Sequence, residues 1–334
     1  MVHKIFPQLT ILLFVIFCLV PLACYCQLDN NDLQEEFYDK SCPMLYDIIE
    51  WYIDAASKND SRMAASLLRL HFHDCFVNGC EASVLLDETE DFKGEKNSLG
   101  NHNSLRGFEL IDAIKEEVES YCPSTVSCAD ILALAAREAV LQSGGPYYPV
   151  AVGRRDGLTA SEEDANAHLP SFFEPLDDIT AKFTVHGLDL KDMVVLSGAH
   201  TIGFAQCDKV KGRLFSFKDS GKPDPDIDSS LRSRLLRTCP DVETSDSNVV
   251  ALDYKTTYAF DNAYYHNLIN KAGLLQSDQA LIGNPDTAKL VNDYSNDPGL
   301  YESEFAASMV KMGNIGVLTG EAGQIRKKCN LVNY

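Results

Sequence analysis

Arg62-Met-Ala-Ala-Ser-Leu-Leu-Arg-Leu-His-Phe-His-Asp-Cys-Phe-Val-Asn-Gly-Cys80 is apolar at helical spacing through Asp74, with Ala64, Leu67, Leu68 and Leu70 able to face a core. Arg69 and His73 stand four residues apart, one helical turn, so both side chains leave the same face. Phe72 stands beside them, and His71 points roughly the opposite way. A guanidinium next to an imidazole is costly in a plain core, because both groups lose free energy when dried. A histidine kept neutral as a base, beside an arginine that stays charged, suits chemistry on a small polar molecule. The alternative is a surface turn carrying both residues by chance.

Upstream, His3 and Lys4 precede an apolar run from Leu9 to Val20, then Pro21 and small residues up to Cys26. That run is short for a bilayer span and long enough for the core of a signal peptide. We therefore expect residues 1–26 to be a leader, cleaved before Gln27, and residues 27–334 to form one secreted domain. Three of the 11 cysteines would leave with the leader. Cys42, Cys75, Cys80, Cys122, Cys128, Cys207, Cys239 and Cys329 would remain. An even number in an oxidising compartment implies four disulfides, although the possible pairings number about a hundred. Only Cys75 with Cys80 is favoured locally, across the Asn78-Gly79 turn. The formal net charge of −20 excludes binding of nucleic acid through bulk charge, and no later stretch is apolar enough to cross a membrane.

Helical patterns dominate the rest. Met44–Ser57, Phe108–Val118, Ser127–Val140, a short piece around Val194–Leu196 and Glu302–Met312 all read as helices, with Ser127 as an N-cap and Gly313 as a stop. Strand signals are few: Val150–Val152 and short pieces near Lys209 and Phe215. Residues 88–103 and 218–228 read as long polar loops. A second unusual histidine, His200, ends an apolar helix in Asp192-Met-Val-Val-Leu-Ser-Gly-Ala-His200-Thr-Ile-Gly203, between glycines that allow close approach.

Four motifs then fall in order: Leu68–Cys80, Ser127-Cys-Ala-Asp-Ile-Leu-Ala-Leu-Ala-Ala-Arg137, Gly153-Arg-Arg-Asp-Gly157 and Leu196-Ser-Gly-Ala-His-Thr-Ile-Gly203. Together they resemble the secretory plant haem peroxidases (class III) over nearly the whole mature chain. The resemblance implies a mainly α fold of about ten or more helices in two lobes with haem b between them, minor short strands and four disulfides. It pairs Cys42 with Cys122, Cys75 with Cys80, Cys128 with Cys329 and Cys207 with Cys239. His73 would be the distal base, steadied by Asn101 and, behind it, by the Glu95 carboxylate. Arg69 would stabilise charge as the O–O bond breaks, and Phe72 would cover the haem edge. His200 would be the iron ligand, with Asp278 on its far nitrogen. Arg62, Ser66, Ser104 and Gln206 would hold the propionates.

Two calcium ions are implied as well. The distal one would bind Asp74, Val77, Gly79, Glu81 and Ser83, with Glu81 in place of the usual aspartate and its extra methylene crowding the cage. The proximal one would bind Thr201, Asp253, Thr256, Ala259 and Asp261. Pro170 would mark the entrance for aromatic donors, with Phe172 replacing a second proline and reshaping it. His71 would be structural, and Asn59-Asp-Ser61 is the one glycosylation sequon. The expected protein is an extracellular, apoplastic or cell-wall monomer that reduces hydrogen peroxide and oxidises phenols, without nucleic-acid or membrane partners. The rival readings are a catalytically weak haem-binding wall protein and a zinc module at His71, His73, Cys75 and Cys80.

Overall fold

Helical periodicity becomes thirteen α-helices among residues 33–90 and 92–333, the part of the chain that the computed structural model describes. In order they are α1 (Leu45–Asn59), α2 (Met63–Cys75), α3 (Phe108–Tyr121), α4 (Cys128–Gln142), α5 (Glu162–His168), α6 (Leu176–Val185) and α7 (Leu190–Ser197). Then follow α8 (Asp208–Phe215), α9 (Ser229–Thr238), α10 (Ala263–Ile269), α11 (Gln276–Ala280), α12 (Pro285–Asn296) and α13 (Pro298–Met312). The leader expected at residues 1–26 lies outside the described residues.

Local chemistry sets the helix ends. The Ser127 hydroxyl accepts from the Asp130 amide at 3.1 Å, as an N-cap should. Asp189 and Asp192 cap α7 reciprocally, each carboxylate accepting from the other's amide. Asn284 before Pro285 and Asp297 before Pro298 cap α12 and α13 with their side chains alone, each with proline at the first turn.

The expected strands are misplaced. Lys209 and Phe215 lie in α8, and Val152 makes only an isolated bridge with Gln34. The two strands found, β1 (Phe204–Gln206) and β2 (Val249–Ala251), pair antiparallel with Phe204 opposite Ala251. The α8 segment alternates over too few residues for period two to be told from the 3.6-residue period, and packing of Val210 and Leu214 against α9 decides it.

Helix α2 faces two apolar clusters at once. Leu67 and Leu70 join Ile49, Ile53, Ile111, Ile114, Ile131 and Leu132 from α1, α3 and α4. Leu68, Cys75 and Phe76 join Phe183, Val194, Tyr265, Val291 and Phe305 from the later helices. The long, almost all-round apolar α4 is buried along its length, which fits its alanine-rich sequence. All four disulfides pair as the family resemblance implies: Cys42–Cys122, Cys75–Cys80, Cys128–Cys329 and Cys207–Cys239.

The Gly153–Gly157 motif turns out to be a brace. Arg154 pairs with Asp130 at 2.9 Å with both side chains almost fully buried. Asp156 accepts from the amides of Ala129 and Arg326, tying the start of α4 to the C-terminal segment.

Candidate active site

His73 leaves α2 into a buried position, 8% exposed, where its Nδ1 meets Asn101 Oδ1 at 2.5 Å. An amide oxygen can only accept, so Nδ1 carries the proton and Nε2 keeps its lone pair. That lone pair accepts from Arg69 Nε at 3.2 Å. Burial first, and the Arg69 charge second, hold the His73 pKa well below the usual histidine range, so the ring is neutral. Desolvation lowers Arg69 to about 10, which leaves it a cation at neutral pH.

One loop positions both partners. Arg69 Nη2 donates to the Gly100 carbonyl at 2.7 Å and to Ser104 Oγ at 3.0 Å, while Nη1 donates to the Ser104 carbonyl at 3.1 Å. Asn101 sits in the same loop, and its Nδ2 donates to the main-chain carbonyl of Glu95 at 2.9 Å. The tether expected from the Glu95 carboxylate is thus made by its backbone carbonyl instead. Phe72 packs tilted against Phe76 at 4.3 Å between centroids and lies 5.4 Å from the His73 ring, edge to face.

On the other histidine the same wiring recurs with a stronger acceptor. His200 follows α7 in a 3-10 turn, and its Nδ1 lies 2.7 Å from Asp278 Oδ1. Asp278, 2% exposed, also accepts from the Leu275 amide at 2.9 Å and from the Tyr264 hydroxyl at 3.1 Å. With Nδ1 committed to a carboxylate, Nε2 is the nitrogen left to ligate a metal. Gly198 lets this turn seat: a methyl group there would lie 2.3 Å from the Tyr265 hydroxyl.

Around Arg69, Ser104 is bonded as described, while Ser66 accepts weakly from Arg106 at 3.4 Å and Gln206 donates to the Asn103 carbonyl at 3.2 Å. Arg62 and Arg106 both hold Asp60, whose carboxyl is lowered to about 2 because their hydrogen bonds outweigh the effect of burial. Arg106 was missed by the sequence reading. Its place two residues after Ser104 was the available signal. Tyr264 was missed too, since nothing in a chain of 14 tyrosines marks one of them.

Two oxygen-rich clusters flank the site. Asp74 is fully buried and accepts from the Ala82 amide at 2.9 Å, with Glu81 and Ser83 beside it. The Ser83 hydroxyl and both Glu95 carboxylate oxygens are buried without a hydrogen bond of good geometry. Burial raises Asp74 and Glu81 to about 7, and burial together with the Asp74 charge raises Glu95 to about 8. Room for the longer Glu81 side chain comes from Gly157, where a methyl group would lie 2.3 Å from Glu81 Oε2. In the second cluster, Thr201 and Thr256 both donate to Asp261 Oδ1, at 3.2 and 3.1 Å, and Thr256 lies 3.4 Å from Asp253 Oδ2. Oxygen-only sets of this kind fit a hard cation.

Pro170 adjoins Leu169, which faces His73 across Gly100: a methyl group at Gly100 would sit 3.6 Å from Leu169 and 3.9 Å from the His73 ring. Beyond it, a groove of about 490 Å³ is lined by Phe172, Phe173, Lys209 and Gln276 among others. His71 turns away into the core beside Arg154, as expected of a structural residue. Because Cys75 and Cys80 are bonded to each other, they offer no thiolates, and the zinc reading fails.

Comparison with known proteins places this geometry among relatives. A family model described as "Peroxidase" matches residues 49–297. "Peroxidase 10" of Arabidopsis thaliana is 62% identical over 302 residues, covering 90% of this chain and 86% of the relative. "Lignin-forming anionic peroxidase" of Nicotiana sylvestris is 48% identical over 319 residues, 95% of this chain and 96% of the relative. "Peroxidase N" of Armoracia rusticana is 47% identical over 323 residues, 96% and 97%.

Proposed function

The chain belongs to the peroxidase family, and from that premise we propose how its own residues divide the work of a haem peroxidase that uses hydrogen peroxide to oxidise donors. The observation that carries the division is that each of two histidines has its Nδ1 committed to a fixed acceptor, an amide oxygen for His73 and a carboxylate for His200. One ring is thereby kept a weak, neutral base and the other an electron-rich ligand. Bound haem would supply a redox-active iron, able to exchange two electrons with peroxide and single electrons with donors. His200 Nε2 would hold the iron, and Asp278 would strengthen its donation.

His73 Nε2 takes the proton from one peroxide oxygen and returns it to the other, which leaves as water. Arg69 stabilises the negative charge that builds as the O–O bond breaks, held in place by the loop carbonyls it already engages. Asn101 keeps the tautomer correct throughout. Phe72 crowds the base and limits what reaches it. Arg62, Ser66, Ser104 and Gln206, with Arg106 added, are the groups that would hold the propionates.

Phenols are the donor class, docking by Pro170 and Phe172, and the name of the lignin-forming relative supports this choice. Two calcium ions complete the protein. The distal one would be held by Asp74, Val77, Gly79, Glu81 and Ser83, and the proximal one by Thr201, Asp253, Thr256, Ala259 and Asp261. The fully buried Asp74 carboxylate and Ser83 hydroxyl, with Glu81 beside them, support the distal site. Four disulfides suit an oxidising, extracellular compartment, reached through a leader at residues 1–26, and the chain acts as a monomer. The exposed Asn59 is available for glycosylation.

The test is direct. Purified protein should show the absorption of a histidine-ligated haem and oxidise a chromogenic phenol only when peroxide is added. Haem absorption without turnover would demote the chain to a haem-binding wall protein, and absence of haem would remove the reading altogether.

A further inference from the structure

Behind the His200–Asp278 pair, four tyrosines pack edge to edge. The Tyr264 ring lies 6.2 Å from His200, centroid to centroid, and 5.1 Å from Tyr265. Tyr265 in turn lies 5.1 Å from Tyr294 and 5.0 Å from Tyr301. All four are essentially sealed from water. Phenylalanine would fill the same volume without a hydroxyl, and a buried hydroxyl costs about 1–3 kcal/mol when unsatisfied. The Tyr301 hydroxyl indeed has no partner. Packing therefore accounts for the rings, while three hydroxyls reach acceptors and that of Tyr301 reaches none among the described residues.

We propose that the cluster is an internal one-electron donor, oxidised by the peroxide-loaded enzyme when no external donor is present, with the resulting radical resting on Tyr294. This rests on the peroxidase reading, which supplies the oxidant. An electron passes from Tyr294 through Tyr265 and Tyr264 towards the His200 side. At the same time the Tyr294 O–H bond breaks and its proton goes to Glu304 Oε2. The products are a neutral phenoxyl radical, a protonated Glu304 and an enzyme holding one oxidising equivalent fewer.

The choice of Tyr294 follows from where protons can go. Burial, the first cause in each case, holds all four phenols above their ordinary range, so each must shed a proton on losing an electron. Tyr265 donates to the carbonyls of Val194 and Val195, which cannot take a proton, and Tyr301 has no acceptor. Tyr264 donates to Asp278, but protonating Asp278 would undo its bond to His200. Tyr294 donates to Glu304, a partly exposed carboxylate beside Lys191, from which a proton can exchange with water.

The test uses holoenzyme carrying ring-deuterated tyrosine, mixed with stoichiometric peroxide without donor, freeze-quenched and examined by electron paramagnetic resonance. A radical signal narrowed by the deuteration is expected, lost in Tyr294→Phe and unchanged in Tyr147→Phe, whose ring is exposed. Glu304→Gln should slow its appearance by about 10²-fold or more, the worth of a positioned proton acceptor. Unchanged haem absorption and peroxide reactivity would show that the variants are folded. A wild type without a tyrosine-derived signal, or the same signal in Tyr294→Phe, overturns the proposal while leaving the peroxidase reading intact. Absence of haem itself would take down both.

Discussion

A proton that leaves one peroxide oxygen and arrives at the other needs a base whose charge state does not drift. His73 is held neutral by burial and by Arg69, and its tautomer is set by Asn101. Replacing it by leucine should spare haem binding and slow the reaction with peroxide by ~10²–10⁴-fold. Stopped-flow absorption would read this, and near-normal oxidation in His73→Leu would remove the residue from its role. Asn101→Val keeps the ring but frees Nδ1, so the reaction should slow more modestly; an unchanged rate would mean that Arg69 alone fixes the tautomer.

At the scale of elements, α2 and the loop after Ser98 make one unit. The loop clamps Arg69 through Gly100 and Ser104 and presents Asn101 to His73, so the two side chains of α2 proposed to act on peroxide are positioned from outside their own helix. The C-terminal end of α2 is anchored by Asp74 and its acidic neighbours. If the proposed distal cation is bound there, strong chelation should lower activity while the haem band persists, because its loss would loosen α2. Gly157→Ala pushes on the Glu81 carboxylate and should hasten that loss in a timed chelator challenge. Equal rates in the two proteins would show that Glu81 takes no part in holding the ion.

For the molecule as a whole, the buried charges outside the active site are structural. Arg154→Ala leaves Asp130 buried without its partner, which typically costs about 3–5 kcal/mol. A denaturant midpoint close to that of the wild type would contradict the brace. His71, lowered to about 3 by burial and then by the Arg154 charge, gives a pH signature. It stays neutral when folded and ionises near pH 6.5 when unfolded, so its contribution is complete above about 6.5 and fades as pH falls towards 3. At most about 5 kcal/mol is at stake, by the free-energy value of a pKa unit. Urea midpoints between pH 7 and 4 should fall less steeply in His71→Gln than in the wild type.

Much was legible without coordinates. The period of Leu67, Leu68 and Leu70, the cap at Ser127 and the four-residue spacing of Arg69 and His73 are local properties, and each reappears in the fold. The short helices α5, α8 and α11 were not legible, because a run of five to eight residues carries too few turns for a period to show. The sequence by itself determined which residues were chemically able to act: the bases, the cation, the ligand, the carboxylates and the cysteines. The tertiary structure alone decided which of them meet. That Glu95 holds Asn101 by its carbonyl, that Gly157 makes room for Glu81, and that Tyr264 joins Asp278 to a buried chain of phenols all depend on contacts between distant segments, and no local spacing encodes those.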